Sequence, residues 1–388
     1  MNAIDIFISL IRAELKGEVL DSHLLDSLNE SVTEQIFNLA EKHDLAHFVS
    51  GKIIQSGILK SDSPLVEKLQ KQEMLAFYRY KRIEHEFTAL KDVLTKNEIP
   101  FVPLKGSVIR QYYSKPWMRT SCDIDILVKE DDFDKAVSAI ERSLSYSVDP
   151  QKGYHDVSLY SQSGVHLELH FNILENDKNL DKVLSNVWDY AYPKSDGSFE
   201  HLLTDDFFIF HQIAHMAYHF KNGGCGIRPF IDLFLLAKNV KCNEQSLYQM
   251  CDECGISVFY NSVKSLIGVW FDNCPHSDLT LKMQNYLMYG GVYGTMENKI
   301  AASRNRSGGR FKYILKRIFM PYDNLKIIYP SLEGKKWLTP LYEVRRWGNL
   351  IFSKRIGKGI NEAKSTIAIS GNRANETEQL FSDIGLKQ

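Results

Sequence analysis

The chain has 388 residues, 44% hydrophobic, 12% aromatic and 24% charged, a composition that builds packed cores and excludes a mainly disordered, collagenous or coiled-coil protein. No apolar run reaches the ~18 residues of a membrane helix, the start lacks the basic stretch of a secretory signal, and six cysteines without a regular framework suit a reducing cytoplasm. The formal charge of −1 hides a polarity, because residues 297–358 hold fifteen Lys or Arg against four Asp or Glu; this basic segment suits nucleotide phosphates, nucleic acid or an acidic glycan, or else is a solvated surface balancing an acidic body.

Residues 1–97 read as helical. A single apolar stripe runs through Ile36, Leu39, Ala40, His43, Leu45 and Phe48. A longer helix is predicted from Pro64 to Lys96, with Ser63 before the proline as its start signal. Residues 98–198 change to an α/β rhythm. Ile99 to Leu104 is extended, since a residue before proline is pushed out of the α region. Lys105-Gly106-Ser107 opens a short helix, Asp123 to Val128 reads as a strand, and Asp131 or Asp132 caps a helix through Leu144. Strands are predicted at His155–Tyr160 and Val165–Phe171, joined by a Ser-Gln-Ser-Gly turn. Residues 199–295 return to helix, with Thr204-Asp205-Asp206 as a start, a stop at Asn222-Gly223-Gly224 and a second helix from Pro229 through Lys238. Residues 296–370 form the basic mixed segment, and 371–388 are expected to be a loose tail.

The chemistry gathers in the middle block. On a strand, Asp123 and Asp125 point to one side while Cys122, Ile124 and Ile126 point to the other. Two carboxylates so placed repel one another unless a hard cation lies between them, and Mg²⁺ accepts such oxygens together with substrate phosphates. Gly106-Ser107 at a helix start lets backbone N–H groups approach a phosphate. Strict alternation sends His166, Glu168 and His170 one way and Leu167 and Leu169 the other. Together these features describe a two-metal phosphoryl-transfer site. Lys105 and Arg119 flank it, either neutralising phosphate or steadying the aspartates.

The succession Leu104-Lys105-Gly106-Ser107, Arg119, Asp123-Ile124-Asp125-Ile126-Leu127-Val128 and His166-Leu167-Glu168-Leu169-His170 resembles the uncharacterised nucleotidyltransferase family of the DNA polymerase beta-like superfamily. A looser likeness extends into His215, His219, Arg228 and Asp232. The resemblance implies an α+β fold, a nucleotidyltransferase domain with a small mixed sheet flanked by N- and C-terminal helical regions. It implies Mg²⁺ or Mn²⁺ on Asp123 and Asp125, with Glu168 as third carboxylate assisting the attacking hydroxyl. Lys105, Gly106, Ser107 and Arg119 would bind a nucleoside triphosphate, whose nucleotide passes to an unidentified acceptor with release of pyrophosphate. His166, His170, His215, His219, Arg228 and Asp232 would line the substrate pocket. The spacer between Ser107 and Asp123 is longer than most of that superfamily uses.

Other readings compete. His211, His215 and His219 share a helix face, as zinc ligands or as packing residues. Arg228 and Asp232, four apart, form an ion pair or brace a substrate. Cys251-Asp252-Glu253-Cys254 with His166-Leu167-Glu168 suggests a zinc-dependent deaminase or hydrolase, but lacks the proline before the cysteines. An inactive nucleotide-binding module is a third reading. Trp337 and Trp347 are assigned to core packing rather than to stacking on a base. Neutralising Asp123 or Asp125 is predicted to hold or slightly raise stability by relieving repulsion.

Overall fold

A computed structural model describes residues 1–291, 329–352 and 371–386, with 322, 325 and 326. Much of the basic segment, including residues 297–321 and 353–358, and the side chain of Trp347 lie outside the described residues. Trp337 is 78% exposed and does not pack in a core, because it sits on a short 3₁₀ turn, Lys336–Leu338.

The first helices are α1 (Ala3–Lys16), α2 (Ser22–Ser27), α3 (Glu30–Lys42) and α4 (Ala46–Gln55). The stripe that reads as one helix is broken between α3 and α4 at Asp44, whose backbone takes φ 52°, a left-handed conformation that ends a helix turn. The long helix α5 (Pro64–Lys96) starts as predicted, with the Ser63 hydroxyl accepting from the Leu65 amide.

Five strands follow: β1 (Phe101–Pro103), β2 (Asp123–Val128), β3 (Ser147–Lys152), β4 (Asp156–Tyr160) and β5 (His166–His170). They form one mixed sheet in the order β1-β2-β5-β4-β3, in which only β2 and β5 pair parallel. The short α6 (Gly106–Ile109) follows β1, and α7 (Phe133–Leu144) is the crossover after β2. One sheet face, with Ile124, Ile126, Leu167 and Leu169, packs on Ile83, Leu90 and Leu94 of α5 and on Ala136 and Ile140 of α7. These apolar side chains bury a face that would otherwise cost roughly 25 cal/mol per Å² in water.

The remaining elements are α8 (Asp181–Leu184), β6 (Ala191–Pro193), β7 (His201–Leu203), α9 (Asp205–Lys221), α10 (Arg228–Asn239), α11 (Glu244–Glu253), α12 (Ser257–Asp272), α13 (Asp278–Gly290), α14 (Thr339–Phe352) and α15 (Gly371–Asp383). β6 and β7 pair as a ribbon, across the expected boundary at 198. Residues of α1, α3 and α4 share one apolar core with residues of α9 to α13, so the two helical regions meet each other as well as the sheet. The tail expected to be loose is instead helical: α15 and the turn after it bury Leu380, Phe381, Ile384 and Leu386 in that core. Apolar residues at this spacing cover one helix face. At Gly385 (φ +72°) an added Cβ would lie 2.7 Å from the Val258 side chain, which shows how closely the tail approaches α12. No helix among the described residues is long and apolar enough to cross a membrane.

Candidate active site

The parallel pairing of β2 with β5 sets Asp123 beside His166, Asp125 beside Glu168 and Leu127 beside His170. With a side-chain period of two, these groups share the sheet face turned away from α5 and α7. One donor atom each from Asp123, His166 and Glu168 lie within 4.8 Å of one another, and so do donors from Asp125, Glu168 and His170. Glu168 belongs to both sets. Cys122 is exposed and lines the same cleft, contrary to the alternation drawn through it, because the strand begins one residue later at Asp123.

Asp125 is 5% exposed and lies 2.9 Å from Lys105 Nζ and 3.1 Å from His170 Nε2. Burial opposes its charge, but the ammonium of Lys105 and the hydrogen bond from His170 hold its carboxyl well below the usual range. Burial and the charge of Asp125 raise Asp123. Burial, then Asp125, push Glu168 up to about 8. Burial also works against the charge of Lys105, and the surrounding carboxylates more than offset it. The two aspartates therefore differ: substituting Asp123 removes a disfavoured charge, whereas substituting Asp125 strands Lys105, so different outcomes are expected of the two.

Three carboxylates with two imidazoles, sharing donors through Glu168, fit a pair of hard divalent cations. The strain in Glu168 is the kind that a bound cation relieves. Lys105 itself has φ 45°, a conformation that costs about 1–3 kcal/mol for a residue with a side chain and turns its ammonium onto Asp125.

A cleft of about 660 Å³ opens over these groups, within the range of small-molecule sites. Lys105, Gly106, Arg119, Asp123, Asp125, Glu168, His170, His215, His219, Arg228 and Asp232 all line it. Ser107 and His166 do not. The Ser107 N–H is already taken, donating to the Leu104 carbonyl at 3.2 Å in the tight turn at Lys105. His166 sits 2.9 Å from Ser158 Oγ and stacks on Tyr160 at 4.8 Å.

Arg228 and Asp232 do not pair with each other. Asp232 accepts from Arg119 Nε at 2.8 Å and from the Tyr113 hydroxyl at 2.6 Å. Arg228 donates to the Thr120 carbonyl at 3.0 Å and to Asp44 Oδ2 at 3.3 Å. Each side chain on α10 is thus drawn toward the loop before β2, where a buried partner stands. Arg119 gives its Nη1 to the Thr120 carbonyl, so it steadies this wall as a fixed charge.

His215 Nδ1 donates to Glu175 Oε1 at 2.6 Å, and its ring meets His219 edge-on at 4.3 Å. His155 stacks on His170 at 5.3 Å. Cys251 and Cys254 are buried in the helical core, away from the cleft, their thiols pushed up by burial to about 12 and about 11. Sequence reasoning missed Asp44, Tyr113 and His155. Asp44 was concealed inside an apolar stripe, and Tyr113 carries no motif. His155 stood at the head of the predicted strand His155–Tyr160, one residue before β4 begins.

An α+β protein with a parallel strand pair carrying three carboxylates on one face is thereby defined. The chain belongs to the uncharacterised nucleotidyltransferase family, whose model matches residues 29–272. No curated protein matches it. Among solved structures, the solution structure of the antibiotic-resistance factor ANT(2'')-Ia aligns with 11% identity over 50% of this chain and 97% of that one, at a TM-score of 0.32, a likeness too low to bear on mechanism.

Proposed function

We propose that the protein moves a nucleoside monophosphate from a nucleoside triphosphate to a hydroxyl-bearing acceptor, releasing pyrophosphate, in a reaction that depends on Mg²⁺ or Mn²⁺. The observation that carries this reading is the register of β2 against β5, which sets Asp125 beside Glu168 and Asp123 beside His166. Asp123, Asp125 and Glu168 would hold the cations, which when bound supply charge neutralisation for the phosphates and lower the cost of ionising nearby oxygens. The chain's own groups do the positioning. Arg228, held by Thr120 and Asp44, acts electrostatically on Asp123 and so places fixed positive charge where triphosphate oxygens would lie. Glu168 polarises the attacking hydroxyl. Gathering the reactants in one cleft supplies much of the rate by proximity.

The test is incubation of the protein with each nucleoside triphosphate, with and without Mg²⁺ or Mn²⁺, following pyrophosphate release. Metal-dependent release that Asp123→Asn abolishes supports the reading. Release that is unchanged in Asp123→Asn overturns it.

A further inference from the structure

The cleft has two chemically distinct sides. One carries paired charges with an excess of cations, among them Arg79 and Arg228 on Asp44 and Arg119 on Asp232. The other, built by α9, the residue before β4, the end of β5 and the stretch after it, carries imidazoles and the carboxylate of Glu175. Burial holds the His155 and His215 rings below their ordinary range, and takes His211 down to about 3, so these three rings are uncharged near pH 7, and the carboxylate of Glu175 is engaged by His215.

Buried polar atoms almost always find partners, and each one left alone costs about 1–3 kcal/mol. Six such side-chain atoms lack a hydrogen-bond partner among the described residues. Three of them, His170 Nδ1, His211 Nδ1 and Gln212 Nε2, belong to residues that line this one side of the cleft, at 3%, 2% and 8% exposure. These atoms lie just beneath the cleft wall, and a side-chain rotation that brings them to its surface would let a ligand rich in hydroxyls and poor in charge pair them.

His215 stands in the same place in a different state. Its Nδ1–H is fixed on Glu175, itself 8% exposed, and no described group is bonded to its Nε2. A carboxylate that holds one imidazole nitrogen as donor leaves the other as acceptor, oriented for proton transfer. The charges of Lys105 and Asp125 act on this ring, which ties it to the carboxylate site.

We propose that the imidazole side is the acceptor subsite for an uncharged, polyhydroxylated small molecule, with His215 as the base that takes the proton of its nucleophilic hydroxyl and Glu175 as the residue that positions His215. The inference rests on the nucleotidyl-transfer reading and supplies its acceptor side. The acceptor O–H bond breaks and its proton passes to His215 Nε2. The oxygen's electron pair forms the bond to the α-phosphorus, and the bond from that phosphorus to the bridging oxygen breaks, its electron pair leaving with pyrophosphate. Glu175 balances the imidazolium.

The experiment offers the full chain, with Mg²⁺ and α-phosphate-labelled triphosphates, three acceptor sets: glycerol, glucose and myo-inositol; a sugar phosphate; and a single-stranded RNA oligonucleotide. Label moving to the neutral polyols is the expected result, and label moving only to the sugar phosphate or the RNA overturns the subsite. His215→Gln is expected to lower kcat by about a hundredfold or more, as for a lost general base, while Mg²⁺-dependent binding of a non-hydrolysable triphosphate stays within about threefold. Glu175→Gln keeps an oxygen for Nδ1–H but removes the charge, and is expected to lower kcat about tenfold with acceptor KM unchanged. Asp123→Asn, run alongside, loses triphosphate binding. If the unaltered protein binds no triphosphate with Mg²⁺, the nucleotidyl-transfer reading fails and the subsite with it. If it binds and transfers but His215→Gln turns over normally, or loses triphosphate binding together with turnover, the dyad alone is overturned.

Discussion

Two aspartates with a single residue between them occupy opposite electrostatic positions. Asp123 is raised from its ordinary value by burial and by its neighbour, while Asp125, despite deeper burial, is held well below its own by Lys105 and His170. In the metal-free protein the charge on Asp123 therefore weakens the fold and the charge on Asp125 strengthens it. Asp123→Asn should melt at the same temperature as the parent or slightly higher. Asp125→Asn should melt lower, because it leaves the Lys105 ammonium buried without its partner, a loss of about 3–5 kcal/mol for a broken buried pair. Both should lose the rise in melting temperature that Mg²⁺ with triphosphate gives the parent. Calorimetry with and without those additions separates the two. Equal melting of the two variants in metal-free buffer would contradict the roles of Lys105 and His170.

At the scale of elements, the sequence carried most of what builds the site. Strict alternation in Asp123–Val128 and His166–His170 revealed which side chains share a face, since a strand's period of two is local. That these strands lie side by side, and that Asp125 meets Glu168, is a pairing across about forty residues of chain that no local pattern encodes. The partners of Arg228 and Asp232 were hidden for the same reason. A helix spacing of four favours a pair, but buried groups on the loop before β2 compete for both side chains and win. The register makes a prediction for Glu168→Gln: the amide keeps an oxygen for a cation, so triphosphate binding falls less than turnover, which falls by about a hundredfold or more as the charge that polarises the hydroxyl facing His215 is lost, read by single-turnover kinetics beside equilibrium binding. A parallel loss of both would make Glu168 a cation ligand alone. At the α3–α4 junction, His43 is fully buried and its ring is pushed down to about 4 by burial, with Lys42 adding to the effect. The unfolded chain takes up this proton near pH 6.5 and the folded chain only near 4. Stability from His43 is thus complete above pH 6.5 and is lost as pH falls through that window, by about 3 kcal/mol at the bottom. Denaturant unfolding from pH 7 to pH 4 should show a shallower slope in His43→Leu than in the parent.

Across the whole molecule, the cleft is a seam between two packed bodies, the sheet with α5 and α7 on one side and the helical core on the other. Leu127, on the face that carries the aspartates, belongs to the helical core, so the two bodies meet along β2 itself. The helical core is closed by the last described helix, α15, which lies well beyond residues 29–272 that the family model matches. Phe381 is 5% exposed and packs against Phe220 at 6.1 Å and Tyr286 at 5.8 Å between ring centroids. Phe220 lies in the last turn of α9, the helix that carries His211, Gln212, His215 and His219, and Tyr286 donates its hydroxyl hydrogen to the Phe220 carbonyl at 3.2 Å. The tail therefore buttresses the C-terminal end of the helix that lines the cleft. Phe381→Ala should cost about 3–5 kcal/mol, the usual loss for a buried aromatic, and lower the melting temperature accordingly. Because the support reaches α9 and not β2 or β5, its effect on function should be one-sided. Mg²⁺-dependent triphosphate binding should survive below the new melting temperature, while transfer to an acceptor weakens as the His215 ring loses its fixed position. Measuring binding and transfer in the same variant tests this division, and a variant that loses triphosphate binding first would place the tail's influence on the sheet instead.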